Sequence, residues 1–123
     1  MLNGVVSWWV ERNGNRALTN VTGLNVVEQK AIADFVRKRI QPGTGDASSR
    51  ARLAEILQEA TGQRKLALQR GAASEHDPLW SAAAIVESWA TLHLAASETG
   101  RAVRANRYDA RVSSFLKAFP PDT

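Results

Sequence analysis

The stretch Asp77–Ser97, DPLWSAAAIVESWATLHLAAS, decides how this chain folds. Asp77 is a strong helix N-cap, because its short side-chain oxygen can accept from a free amide of the first turn. Pro78 suits the first helical position, where its missing N–H is not needed. From Pro78 to Ser97 the only charged side chain is Glu87. At helical spacing Trp80, Ala83, Ala84 and Glu87 share one side. Ala82, Ile85, Val86, Trp89, Leu92 and Ala96 form a second, broader stripe. A helix that is apolar over most of its circumference is buried by neighbours on more than one side. The alanines let those neighbours approach closely, and the tryptophans supply bulk. The stretch therefore predicts a central helix. It does not read as a membrane span, which needs about 20 predominantly apolar residues. Ser81, Glu87, Ser88, Thr91 and His93 interrupt it.

Working outward, 123 residues are one domain's worth of chain, spanning 1–123, with enough length for a core without staples. There is no cysteine, which excludes disulfides and thiolate metal sites and fits a reducing, cytoplasmic setting. The N-terminus lacks the basic and long apolar regions of a signal peptide. The net charge of +4, carried by 12 arginines and 4 lysines, permits an acidic or nucleic-acid partner without demanding one.

Residues 4–21, GVVSWWVERNGNRALTNV, read as a β-hairpin. Asn13-Gly14 is the favoured pair for a type I′ turn. That turn sets Glu11 opposite Arg16 and Trp9 opposite Leu18. Trp8 and Trp9 then point to opposite faces of the ribbon, so one of them is a candidate partner surface. The competing reading is a short helix over 7–12.

The remaining helices follow from caps and periodicity. Asn25 with Glu28 forms a capping box. Beyond it runs an apolar stripe of Ile32, Phe35, Val36 and Ile40, or the adjoining row Val27–Ala31–Phe35. Pro42-Gly43 ends that helix. After the loop 41–49, Ser48 or Ser49 can cap the next helix, where Leu53, Ile56, Leu57 and Ala60 recur at helical spacing. Thr61-Gly62 should end or kink this helix, which resumes over 63–70. Glu98–Gly100 breaks the central helix. A last helix runs from Arg101 to about Ala118 on a core stripe of Ala105, Tyr108, Val112, Phe115, Leu116 and Phe119, stopped by Pro120-Pro121, with a loose tail over 120–123. The expected fold is mainly α: a compact bundle of four to five helices with a small N-terminal hairpin.

Four polar features carry the functional reading. Arg104, Arg107 and Arg111 project within roughly 60° of one another on the last helix, with Arg101 near the edge. Arginine suits bidentate phosphate or carboxylate contacts, so this face is a candidate for nucleic acid or an acidic protein; the bland alternative is a solvated face with Asp109 and Glu98 as local partners. The loop Gly43–Arg50 offers free amides ahead of a helix but lacks the Lys-Ser/Thr ending of a P-loop. His93, one turn beyond Trp89, reads as a partly buried, hydrogen-bonded residue and His76 as exposed; an acid–base pair of the two is conceivable but has no support from their spacing, and a metal site would need distant ligands. Glu87 is the lone carboxylate of the apolar helix, expected at a rim beside an arginine; the alternative is a buried, unpaired carboxyl whose pKa would rise, making it a candidate acid. No metal constellation, nucleophile motif or cofactor loop is present. The leading expectation is a non-enzymatic binding protein, a regulator, inhibitor or assembly factor, acting through a protein partner, without a cofactor or a membrane and with self-association open. Nucleic-acid binding is the first alternative, and a small basic hydrolase such as a nuclease the second.

Overall fold

The computed structural model describes residues 4–40, 50–70 and 77–121, and the statements below concern those residues. Five α-helices follow one another: α1 Gly4–Asn20, α2 Val26–Arg39, α3 Arg50–Gln69, α4 Pro78–Thr99 and α5 Val103–Ala118. A single 3-10 turn, Val21–Gly23, joins the first two.

α4 is the axis of the bundle and is in contact with every other helix. Each residue from Trp80 to Leu92 is buried, including Ser81, Glu87, Ser88 and Thr91. Its ends are set locally. The Asp77 carboxylate accepts from the Trp80 amide at 2.9 Å, with Pro78 in the first turn. At the far end Gly100 caps the helix with a φ of 73°, a left-handed conformation that costs glycine nothing sterically. The last helix then starts after only Arg101 and Ala102.

α2 is also closed by its own sequence. Asn25 Oδ1 accepts from the Glu28 amide at 2.8 Å, and Glu28 Oε1 accepts from the Asn25 amide at 3.2 Å. Arg37, Lys38 and Arg39 occupy the last turn, where cations favour the helix dipole. Of the two possible stripes the structure uses Ile32, Val36 and Ile40, all buried, while Val27 is exposed. α3 buries Leu53, Ile56, Ala60 and Ala67 against α4. It does not break at Thr61-Gly62. A Cβ on Gly62 would meet no atom within 4 Å, so that glycine costs only its propensity, about 1 kcal/mol. The apolar stripe, carried on past it to Ala67, outweighs that cost. The proposed caps at 48–49, the loop glycines and the 71–76 connection lie outside the described residues.

The N-terminal hairpin is corrected. Residues 4–20 form a continuous helix, and Gly100 is the one described residue with positive φ, so neither Asn13 nor Gly14 has the conformation of a type I′ turn. The period of 3.6 wins over the period of 2. Gly14, Ala17, Leu18 and Val21, spaced i, i+3, i+4, i+7, are all buried. Gly14 is there for close approach. A Cβ at that position would lie 2.3 Å from Ser88 Cβ and 2.5 Å from the Tyr108 hydroxyl. An internal glycine costs about 1 kcal/mol in a helix, whereas burying each of Leu18 and Val21 contributes about 1.5–3 kcal/mol.

Candidate functional site

The buried stripe of α1 turns its opposite face outward, and that face carries both candidate tryptophans. Trp8 is 53% exposed and Trp9 55% exposed. In a helix neighbouring residues are only about 100° apart, so the two rings share one surface instead of dividing between two. Their centroids are 6.5 Å apart with the planes tilted by 46°. One turn on, the Arg12 guanidinium sits 5.4 Å from the centre of the Trp8 ring, a cation–π contact. Trp8, Arg12 and Arg16 make one row of the helix, and Glu11, Asn15 and Thr19 the next. With Asn20 they line an open groove of about 450 Å³.

Two arginines of α5 bond to residues that line it. Arg104 donates through Nε to Glu11 Oε2 at 2.9 Å, and a second guanidinium N–H reaches the same oxygen. Arg111 donates to Asn15 Oδ1. The structure therefore joins the two sets of candidate residues, Trp8 and Trp9 on one helix and the arginine face on the other, through Glu11 and Asn15. Arg107 is exposed on α5, and Arg101, expected on the same helix, is exposed just ahead of it. The sequence placed the α5 arginines on one face but gave no sign that α1 lies beside it, because its hairpin reading hid the second helix.

Asp109, expected as a surface partner of these arginines, turns inward instead. Its Oδ1 accepts from Trp89 Nε1 at 2.5 Å and lies 3.0 Å from His93 Nε2. The His93 ring also packs on Trp89, with centroids 4.5 Å apart. His93 is thus used to fasten α4 to α5, and His76 lies outside the described residues. α5 is tied at its other end by Arg37 of α2, which donates to the backbone oxygens of Leu116, at 3.1 Å, and Phe119.

Glu87 has its arginine but not its rim. It is 3% exposed, and its two oxygens accept from Arg64 Nε at 2.8 Å and from the Thr61 hydroxyl at 2.7 Å. That pair is a buried link between α3 and α4. Two further polar groups sit at the α1–α4–α5 crossing. Ser88 Oγ and the Tyr108 hydroxyl are buried and have no hydrogen-bond partner among the described residues. Burial pushes the Tyr108 phenol well above its ordinary range, against smaller lowering influences from the Ser88 side chain and Arg111. The described residues contain no group of three or more potential metal ligands. None of the described helices is long and apolar enough to cross a membrane. No family model, curated protein or solved structure shows significant similarity to the chain.

Proposed function

We propose that this chain is a non-enzymatic helical binding protein that acts through a macromolecular partner, and that the outer face of α1 is its contact surface. The observation that carries this reading is the shared exposure of Trp8 and Trp9 on one helical face. Tryptophan and arginine are the residues most enriched where interface energy concentrates, and here Trp8, Trp9 and Arg12 adjoin. Half of a tryptophan side chain is roughly 120 Å² of mostly apolar surface, so covering both rings contributes at most about 6 kcal/mol gross. Association costs about 4–15 kcal/mol in lost freedom. The tryptophans alone are therefore marginal, and a stable complex must also use the groove along Glu11, Arg12 and Asn15. A polar-rimmed aromatic patch beside a groove has that form.

The test is a photo-crosslinking amino acid placed at position 9, with capture from the native host compared against Trp8→Ala/Trp9→Ala. Capture of one protein by the first, lost in the second with the fold unchanged, supports the reading. Undiminished capture by the double variant overturns it. Nucleic-acid binding through Arg101, Arg104, Arg107 and Arg111 keeps fewer cations than the sequence offered, since Arg104 shares a carboxylate with α1.

A further inference from the structure

The groove beside the tryptophans has a definite electrostatic character. Arg12 and Arg16 line it from α1, and at its α5 edge Arg104 and Arg111 bond to Glu11 and Asn15, two of the lining residues. Glu11 is the single carboxylate among these side chains, and Arg104 covers it. Arg111 hydrogen-bonds Asn15, a neutral acceptor, so its positive charge is not cancelled there. A guanidinium has five N–H donors. Arg111 uses only one of them in its bond to Asn15, and Arg12 meets its neighbour through the face of a ring. Donors and charge are left over at Arg12 in the groove and at Arg111 beside it.

Resting on the reading of this face as a binding surface, we infer that its occupant is an acidic segment of a protein partner. Its carboxylates pair with Arg12 and Arg111, and its apolar side chains cover Trp8 and Trp9. A second copy of this chain is the wrong occupant, because it would bring the same arginines against themselves. Like charges facing each other suppress that pairing. Nucleic acid is disfavoured by the geometry of the aromatic pair. Bases stack on open ring faces, whereas Arg12 already lies over Trp8 and the two indoles are tilted by 46° instead of forming a parallel slot.

The experiment follows the amide and indole resonances of the isotope-labelled full-length protein on addition of poly-L-glutamate, of an oligothymidylate, and on dilution without any ligand. The expected result is saturable shifts from poly-L-glutamate at the Trp8 and Trp9 indoles and along 11–20, shrinking as salt is raised. Arg12→Gln/Arg111→Gln should weaken that binding about tenfold, two exposed ion pairs being lost. Arg12→Glu alone, at an exposed position on α1 beside the Trp8 ring, repeats the test should the double variant disturb α5 packing. Tighter binding of the oligothymidylate than of poly-L-glutamate at equal salt overturns the inference in favour of nucleic acid. Shifts that appear only with protein concentration overturn it in favour of a second copy. Absence of poly-L-glutamate binding at low salt overturns the acidic partner, while the crosslinking result at position 9 separately decides whether the surface is used.

Discussion

Gly14→Ala is the substitution on which the fold of α1 turns. Helix propensity alone favours it by about 1 kcal/mol. The structure opposes it. The new Cβ would lie 2.3 Å from Ser88 Cβ, 2.4 Å from Ser88 Oγ and 2.5 Å from the Tyr108 hydroxyl. Ordinary carbon contacts are about 3.5–4.0 Å, so the shortfall exceeds 1 Å. Ser88 Cβ is fixed to the backbone of α4 and cannot swing aside. The helices must part, and overpacking of this kind costs about 1–3 kcal/mol and sometimes more. Three simultaneous overlaps place this site at or above the top of that range, for a net loss of about 2 kcal/mol. At about 4 °C per kcal/mol for a chain of this size, the midpoint should fall by roughly 8 °C. Thermal unfolding by circular dichroism measures it. Asn13→Ala supplies the opposite sign: in a type I′ turn it removes a residue suited to positive φ, whereas in a helix it improves propensity, so its midpoint should rise slightly. Adding Ser88→Gly to Gly14→Ala removes two of the three overlaps and should show a favourable coupling of about 1 kcal/mol or more in a double-mutant cycle. A Gly14→Ala protein as stable as the parent would refute the close crossing of α1, α4 and α5.

Other outcomes follow from the same packing. Trp89→Ala, at the centre of α4, should cost about 3–5 kcal/mol in urea unfolding; a loss below about 1 kcal/mol would contradict the burial of that ring. Arg64→Ala strands the buried Glu87 carboxylate and should cost about 3 kcal/mol, with Arg64→Ala/Glu87→Gln recovering part of it. Tyr108→Phe removes a hydroxyl that has no partner, so stability at neutral pH should hold or rise. The phenol's raised folded pKa means that the unfolded chain loses its proton first, so stability should fall as pH climbs past about 10; in Tyr108→Phe the part of that fall due to this phenol should be gone. Trp8→Ala/Trp9→Ala should lower the melting midpoint less than Trp89→Ala does, since about half of each ring already faces water.

Much of the fold was readable because its causes are local. The Asn25–Glu28 box, the Asp77-Pro78 start and the Gly100 stop each involve residues within four positions of one another, and the periodic burial of α2, α3 and α5 needs only the helix repeat. Sequence also set the apolar circumference of α4, and with it the prediction that neighbours surround it. What it could not supply were fits between residues far apart in the chain. Asn13-Gly14 carries the strongest short-range turn signal in the sequence, yet the missing Cβ serves the contact with Ser88 and Tyr108, more than seventy positions away. Gly62 reads as a stop but sits in open space on a helix held by its other face. Placing α1 as a helix brought Trp8 and Trp9 to one surface and set Glu11 and Asn15 beside Arg104 and Arg111. Local propensities of this kind are worth about 1 kcal/mol or less per residue, and burying one more side chain outweighs them. Tertiary packing therefore chose the helix, and with it the surface that faces outward.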